Sequence, residues 1–247
     1  MKLEQSFFVG AHDVNQEKKV TNQALLEMLS NISMLHGAKA GQTKTDGTSQ
    51  ISWIVMNWHM EVYRRPRMFS TLRVVTWVRD WSLARAGRDY IIYDEENQIV
   101  VKATAEWVAM EVATGRFLRI TDELVAPFGP EPENVNFPGF RFPNIRRFDP
   151  KVDLQQEMEI HRLMFDYNGH VHNSIYINLA EQILPKELYD DPFDCVEVFY
   201  KLEITNGDNV LLEYNVDEDR HYVAVRQKAD RKIHAIVVFT DPAQKPA

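Results

Sequence analysis

The sequence predicts an α+β protein in which two antiparallel sheets each wrap a long central helix. Two observations carry this prediction. A helix-like apolar pattern followed by strand-like alternation occurs once in each half of the chain, and a proline-rich stretch separates the halves. Because a helix buries its apolar stripe against one face of a sheet, this element order favours two helix-and-sheet units.

Composition limits the possible classes of function. The 247 residues are 45% hydrophobic and 26% charged, as in ordinary globular proteins, and the net charge of -8 argues against nucleic-acid binding, which needs a basic face. The one cysteine, Cys195, excludes an intramolecular disulfide and a cysteine zinc cluster. Without a secretory signal or a window approaching the ~20 apolar residues of a membrane span, we expect a cytoplasmic protein.

The first half combines one helix with a run of long strands. Apolar residues at helical spacing predict a helix over 20–35, with a stripe made of Val20, Ala24, Leu25, Met28, Leu29, Ile32 and Leu35. Apolar residues then alternate over 52–63 and again over 99–109, which predicts strands. The segments "TLRVVTWVRD" and "GRDYIIYD" add two more strands, and "DEEN" predicts a hairpin turn after them.

A change of texture marks the boundary between the halves. Six prolines fall between residues 126 and 150: Pro127, Pro130, Pro132, Pro138, Pro143 and Pro150. Proline fixes φ and removes a hydrogen-bond donor, so this stretch is expected to be an extended linker. We therefore predict domains at 1–125 and 151–247, joined by a linker at 126–150.

The second half repeats the order of the first. Strands are predicted over 157–164, 196–204, 210–216, 221–227 and 232–240, and an amphipathic helix over 173–185 ends at a proline. Two such units in one chain would cover each other's open sheet edges, an architecture known as a double hotdog. "HDVNQE" repeats the spacing of "FDYNGH", which pairs Asp13 with Asp166, Asn15 with Asn168 and Glu17 with His170.

The stretch "FDYNGHVHNSIYINLAEQILP" holds the candidate site. Asp166, Asn168 and His170 stand two residues apart just before the predicted helix, so an extended backbone would place them on one side. A carboxylate can act as a general base, an imidazole can orient substrate or water, and free N–H groups near 169–171 could stabilise an oxyanion. Two other interpretations are a simple turn with a helix cap, or a metal site at His170 and His172 that lacks a third ligand.

Several blocks resemble one family, the acyl-acyl carrier protein thioesterases. Asp166, Asn168, His170, Val171, Asn173 and Tyr176 match the family's D-x-N-x-H-V-x-N-x-x-Y block. "YRRPRMFSTLRVVTWV", "IVVKATAEWVAMEVATGRFLRI" and "VEVFYKLEI" resemble three further blocks, the last being the strand that carries Y-x-x-E. The resemblance extends from Phe7 to Phe239.

The resemblance implies hydrolysis of fatty acyl-acyl carrier protein to free fatty acid, without a cofactor. It implies Asp166, Asn168, His170 and Glu203 as catalytic, and it leaves open whether Asp166 or Glu203 is the base. Plant relatives often carry a cysteine after the glutamate; here that residue is Ile204, so a cysteine nucleophile at that position is excluded. An acyl-CoA thioesterase, or a non-catalytic acyl-binding hotdog protein, is the alternative.

Substrate contacts are expected in the first half and in the linker. Met28, Met56 and Trp58 could line an apolar channel for the acyl chain, although such a stripe is also typical of an ordinary core. The acidic carrier protein would need basic patches on this acidic chain, and Arg146 and Arg147 in the linker form one. We also expect a homodimer, because many hotdog proteins pair through sheet edges.

Overall fold

The computed structural model describes residues 1–44, 48–145, 151–166, 168–188, 191–205 and 209–240. The chain divides into two compact units. One comprises residues 1–20 and 24–141, and the other comprises residues 21–23 and 142–247. No helix in the described ranges has the length and apolarity needed to cross a bilayer.

The first unit is an antiparallel sheet with one long helix. Its elements are β1 (Leu3–Phe8), α1 (Asn22–Lys39), β2 (Ile51–Val62), β3 (Thr71–Trp81), β4 (Ala86–Tyr93), β5 (Ile99–Glu111) and the short α2 (Asp122–Val125). The strand order is β1-β3-β4-β5-β2, and each neighbouring pair is antiparallel. The predicted helix and the four predicted strands are confirmed, whereas β1 was not predicted.

Helix α1 buries the stripe that its sequence predicts. All stripe residues within it are buried except Leu35, which is half-buried. Each leucine or isoleucine buried in this way contributes about 1.5–3 kcal/mol to the free energy of unfolding. Ser33 fixes the helix against β4, because its hydroxyl lies 2.8 Å from the hydroxyl of Tyr90.

The first part of the predicted linker is bound to the first sheet. The backbone N–H of Glu131 donates to the carbonyl of Val78 (2.9 Å), and the N–H of Asn136 donates to Asp89 Oδ2 (2.7 Å). Phe137 and Phe140 pack on the ring of His59, with centroids 4.9 and 4.4 Å away. Residues 126–141 therefore form a strap on this unit, and the division between the units falls after Arg141.

The second unit repeats the architecture with a shorter helix. Its elements are β6 (Leu154–Glu159), α3 (Ile175–Glu181), β7 (Cys195–Tyr200), β8 (Asn209–Asp217), β9 (Arg220–Gln227) and β10 (Ile233–Thr240). The strand order is β7-β10-β9-β8-β6, again antiparallel throughout. The predicted helix over 173–185 is confirmed only in its centre, because turns replace regular helix on both sides of α3.

Strand β7 ends four residues before its predicted end. The N–H groups of Lys201 and Leu202 both donate to one carbonyl, that of His234, at 2.8 and 3.1 Å. Two donors on one acceptor cannot continue a regular ladder, and the β9–β10 register is also irregular between Ile233 and Ala235. Glu203 was expected on this strand and instead lies in the segment that follows it.

Candidate active site

Asp166 shapes the loop that carries the predicted site residues. Its Oδ1 accepts hydrogen bonds from the backbone N–H groups of Asn168 (2.8 Å) and His170 (3.1 Å). Its own N–H donates to the carbonyl of His170 (2.8 Å), which closes the loop from both sides. The turn interpretation is confirmed, and the carboxylate that builds the turn also brings the other predicted site residues together.

The expected oxyanion donors are already engaged. The N–H of Gly169 donates to the carbonyl of Asp166 (3.1 Å), and the N–H of His170 donates to Asp166 Oδ1. The N–H of Val171 donates to the carbonyl of Ile204 (3.1 Å). The prediction that backbone groups near 169–171 stabilise an oxyanion is therefore wrong for this conformation. The hairpin-like closure of the loop consumes them, which the local sequence does not reveal.

His170 and Glu203 form the central contact of the site. His170 Nε2 lies 3.2 Å from Glu203 Oε2, and the two side chains are 38% and 55% exposed. Both groups are thus in hydrogen-bond contact and still accessible to water or a ligand. The sequence predicted that Glu203 would lie within reach of His170, and the structure brings these side chains together from segments 33 positions apart in the chain (203 − 170).

Two backbone contacts join the Glu203 segment to the loop. Val171 N–H donates to Ile204 O, as described above, and His170 forms an isolated antiparallel bridge with Thr205. Val171 and Ile204 are both buried, at 3% and 0% exposure. The chain after β7 is therefore fixed against the loop by its buried backbone while the Glu203 side chain points outward.

Asn168 completes the predicted group. Its side chain is exposed, and its Nδ2 lies 3.4 Å from Asp166 Oδ2. This is a long hydrogen bond, so the amide can exchange its carboxylate partner for an incoming oxygen at small cost. All four predicted catalytic residues thus lie in one loop and the segment bonded to it.

Burial shifts the pKa of two side chains beside the Glu203 segment. Burial raises the pKa of Tyr200 well above its ordinary value, and its hydroxyl donates to the carbonyl of Asn173 (2.7 Å). Burial and, secondarily, the charge of Arg226 lower the pKa of Lys201, whose ammonium donates to the carbonyl of Ile145 (2.9 Å). The chain that leads from β7 to Glu203 is therefore anchored at two consecutive residues, Tyr200 and Lys201.

The metal interpretation gains no ligand set. Among the described residues, no group of three His, Cys, Asp or Glu side chains is arranged to hold a metal ion. His172, the second histidine of that hypothesis, has an exposed side chain, and its backbone N–H donates to the carbonyl of Met164 (3.0 Å).

The predicted substrate-binding residues differ in their surroundings. Met28 on α1 is 5% exposed and Trp58 on β2 is 0% exposed, with the Trp58 ring 4.9 Å from Tyr90 and 6.2 Å from Trp107. Met56 is half-buried at a bulge, where the β2–β5 register shifts between Val55 and Asn57. Arg146 and Arg147 lie outside the described residues.

The first unit contains a loop with the same hydrogen bonds. Asn15 Oδ1 accepts from the N–H groups of Glu17 (3.1 Å) and Lys19 (3.0 Å), and Asn15 N–H donates to the carbonyl of Lys19 (2.9 Å). Asn15 thus takes the place of Asp166. The predicted repeat, which paired Asp13 with Asp166, is wrong by two residues, because Asp13 instead accepts from the N–H of Gly10 (2.7 Å).

The correspondence extends to the segment that contacts each loop. Val20 N–H donates to the carbonyl of Pro66 (2.9 Å), as Val171 N–H donates to that of Ile204. Counting back one residue, Arg65 stands at the position of Glu203. In the first unit the His170–Glu203 pair is therefore replaced by Lys19 and Arg65, and Lys19 is paired with Glu17 (2.9 Å).

The first unit also contains a buried histidine, His36, beside a charged side chain. His36 on α1 is fully buried, and its Nδ1 lies 2.9 Å from Arg88 Nη1 on β4. Burial, followed by the positive charge of Arg88, lowers the pKa of His36 to about 3. Asp89, the next residue on β4, is also buried; burial raises its pKa, although its carboxylate pairs with Arg79 (3.1 Å).

Comparison with known proteins agrees with this architecture and with the sequence motifs. Residues 1–128, just over half of the chain, match the model of the acyl-ACP thioesterase N-terminal domain. The oleoyl-acyl carrier protein thioesterase of Coriandrum sativum chloroplasts is 25% identical over 238 residues, covering 89% of this chain and 64% of that protein. A second chloroplastic oleoyl-acyl carrier protein thioesterase, from Arabidopsis thaliana, is 25% identical over 83% of this chain and 60% of its own length. The chain thus spans about six tenths of these relatives.

Solved structures show the same fold. An acyl-ACP thioesterase from Bacteroides thetaiotaomicron superposes with a TM-score of 0.83 at 17% identity, covering 97% of each chain. The 12:0-ACP thioesterase from Umbellularia californica gives a TM-score of 0.80 at 18% identity, covering 97% of this chain and 96% of the other. The predicted double hotdog fold is confirmed. Since the family model covers more than half of its residues, this chain belongs to the acyl-ACP thioesterase family.

Proposed function

We propose that this protein hydrolyses the thioester of fatty acyl-acyl carrier protein and releases a free fatty acid. Membership of the acyl-ACP thioesterase family supports the reaction class. The observation that carries the proposal to this chain is the 3.2 Å contact between His170 Nε2 and Glu203 Oε2, in a site that remains open to water. Such a pair can hold and activate a water molecule without a metal or a covalent nucleophile.

Glu203 is the general base in this proposal. Asp166 Oδ1 already accepts two backbone hydrogen bonds that hold the loop in shape. If Asp166 took a proton from water, these hydrogen bonds would weaken. Glu203, in contrast, has an exposed carboxylate that contacts the imidazole of His170. We therefore assign Asp166 to positioning and Glu203 to proton transfer.

The proposed reaction has two steps, addition of water and collapse of the tetrahedral adduct. Glu203 takes a proton from water while the water oxygen bonds to the thioester carbonyl carbon, and the carbonyl electron pair moves onto its oxygen. The tetrahedral adduct then collapses, the C–S bond breaks with its electron pair on sulfur, and the proton returns from Glu203 to sulfur by way of His170. The products are a fatty acid and the thiol of the carrier arm, and both side chains return to their first state.

Asn168 stabilises the oxyanion in place of the loop N–H groups. Its exposed Nδ2 can leave its 3.4 Å contact with Asp166 and donate to the carbonyl oxygen as negative charge develops there. Loss of one such donor typically lowers kcat by about 10²–10³-fold. Replacement of Asn168 by Asp, whose side chain has no N–H, should produce a loss of that size. An unchanged kcat would remove Asn168 from the mechanism.

The two units divide the work in this proposal. The second unit carries the reacting groups, and the first holds the acyl chain against apolar side chains such as Met28, Met56 and Trp58. Met56 suits a test because it is half-buried at a strand bulge. Met56→Trp should shift the preferred chain length downward, and an unchanged preference would count against an acyl site at this bulge.

The central experiment is a hydrolysis panel. Acyl-carrier-protein thioesters and coenzyme A thioesters of matched chain length would be compared, because both present the same pantetheine arm. We expect turnover of the carrier-linked series and a loss of about 10²–10⁴-fold in His170→Ala, the range typical of general acid–base groups. His172→Ala is the matched control, since that side chain is exposed two residues away, and it should keep wild-type kcat.

The outcomes separate the alternatives. Faster hydrolysis of coenzyme A thioesters would replace the carrier protein as substrate, and no hydrolysis of either series would favour a non-catalytic acyl-binding protein. Equal losses in His170→Ala and His172→Ala would remove His170 from the mechanism. A homodimer and a cytoplasmic location remain predictions, which light scattering of the purified protein and fractionation of the source cells would test.

A further inference from the structure

The side chain of Tyr176 connects helix α3 to the segment that carries Glu203. Tyr176 lies in the first turn of α3 and is 2% exposed. Its hydroxyl oxygen accepts a hydrogen bond of 3.1 Å from the backbone N–H of Ile204, the residue that follows Glu203. Ile204 is fully buried, so this hydroxyl satisfies an amide that has no access to water.

A second tyrosine completes the connection in the opposite direction. Tyr200, the last residue of β7, donates its hydroxyl hydrogen to the carbonyl of Asn173 (2.7 Å), just before α3. The two tyrosine rings meet edge to face, with centroids 5.3 Å apart and planes at 84°. The start of α3 is therefore hydrogen-bonded both to the last residue of β7 and to the segment that follows it, once through each tyrosine hydroxyl.

This connection determines where Glu203 can lie. Glu203 is outside any strand, so no ladder of hydrogen bonds fixes its backbone. The backbone of Ile204 next to it is held at both ends, by Tyr176 on its N–H and by Val171 on its carbonyl. An exposed carboxylate can reach a single nitrogen of His170 reproducibly only if its backbone is fixed, because the free side chain samples several rotamers.

We propose that Tyr176 is a positioning residue that holds Glu203 against His170. The inference rests on the proposed function, because it assigns Tyr176 a part in the same reaction. Tyr176 acts through the Ile204 amide and does not touch the substrate. Without its hydroxyl the buried amide loses its acceptor, and the 203–204 segment must move to find water or another oxygen.

Tyr176→Phe is the direct test, because it deletes one oxygen and keeps the ring against Tyr200. We expect kcat to fall about 10–100-fold, since small misplacements of a reacting group cost up to about 10²-fold. KM should change less than about twofold, because binding of the acyl chain is unaffected. Tyr214→Phe is the matched control: it removes another tyrosine hydroxyl of this unit, which contacts His221 Nδ1 (2.8 Å), and should leave kcat unchanged.

A double-mutant cycle separates positioning from a merely structural role. If Tyr176 acts through Glu203, adding Tyr176→Phe to Glu203→Gln should lower the residual kcat by less than about twofold, because the group that it positions is already inactive. If the hydroxyl only stabilises the fold, the two losses should multiply. Multiplication would overturn the proposal, as would a wild-type kcat in Tyr176→Phe.

A readout independent of turnover keeps the inference distinct from the proposed function. The ring nitrogen resonances of His170 in an NMR spectrum should move in Glu203→Gln, and move in the same direction in Tyr176→Phe, but not in Tyr214→Phe. Absence of thioester hydrolysis by the wild-type protein would defeat the proposed function and leave this test intact. Unchanged His170 resonances in folded Tyr176→Phe would defeat the positioning role even if the enzyme is active.

Discussion

The two units contain loops with the same hydrogen bonds, around Asn15 in the first and around Asp166 in the second, with different side chains. In each loop one oxygen accepts two backbone N–H groups, supplied by Asn15 in the first unit and by Asp166 in the second. What differs is the pair that follows: Lys19 and Arg65 in the first unit stand where His170 and Glu203 stand in the second. The comparison teaches that the loop is part of the fold, and in the proposed mechanism the reaction depends on the two side chains added to it.

The largest expected difference concerns Glu203 and its counterpart Arg65. Glu203→Gln keeps the size of the side chain and removes the proposed base, so kcat should fall about 10³-fold, within the range for general bases. Arg65→Gln should keep kcat within about twofold. It should instead lower stability by about 1 kcal/mol, because the guanidinium donates to the carbonyl of Val20 (3.2 Å). Initial rates and urea unfolding of both variants give the answer.

Asp166 offers the next test, because Asn15 already shows which atoms the loop needs. An asparagine oxygen holds the first loop in shape, so Asp166→Asn should preserve the second loop and lower kcat by less than about tenfold, with Asp166→Ala losing the loop hydrogen bonds as well. The reciprocal Asn15→Asp should leave kcat unchanged. It should also change the unfolding free energy by no more than about 0.5 kcal/mol. A loss of 10³-fold in Asp166→Asn would make Asp166 the base and Glu203 its support.

The sequence predicts the parts of this comparison that depend on local pattern. The helical spacing of apolar residues gives α1, because burying that stripe is the main source of helix stability. Strict alternation gives β2 and β5, and the spacing of Asp166, Asn168 and His170 gives the candidate site. Strand β1 escapes prediction because Leu3 is its one buried residue, so its sequence has no need of alternating apolar positions.

The parts that sequence misses depend on contacts between distant segments. Strand β7 ends early because of the His234 carbonyl on β10, and the loop N–H of Val171 is consumed by Ile204. The two-residue error in the repeat has the same origin. Asp13 and Asp166 look alike in sequence, but the hydrogen bonds that define the loop start at Asn15, and only the fold shows which oxygen receives them.

A buried histidine of the first unit gives a pH test. His36 is fully buried, and burial, then Arg88, the N-terminal amine and Lys39, lower its pKa to about 3 from an ordinary 6.5, against a raising effect of the Phe128 carbonyl. The unfolded chain therefore binds a proton that the folded chain rejects. The stability that His36 confers is complete above pH 6.5 and is lost as pH falls toward 3.

His36→Asn isolates this effect. Asparagine keeps an oxygen acceptor for Arg88 and does not titrate, so its unfolding free energy should fall less than that of wild type between pH 7 and pH 4. The difference between the two curves removes the contribution of the carboxylates that both proteins share. Parallel curves from urea unfolding at each pH would show that His36 is not the source of the acid sensitivity.

The smallest expected effects come from the residue of each loop that has a positive φ, which precedes Lys19 in the first unit and His170 in the second. Gly169 has φ 78° and Lys18 has φ 62°, a left-handed conformation that costs a side-chain-bearing residue about 1–2 kcal/mol. Gly169→Ala should therefore lower the unfolding free energy by about 1 kcal/mol, and through the backbone alone, since a Cβ there meets nothing within 4 Å. Lys18→Gly should raise it by about 0.5 kcal/mol, because the relief of strain exceeds the entropy that glycine adds to the unfolded chain. Changes of the same sign in both variants, measured by urea unfolding, would mean that the two loops are not equivalent in backbone strain and that their likeness ends with the hydrogen bonds.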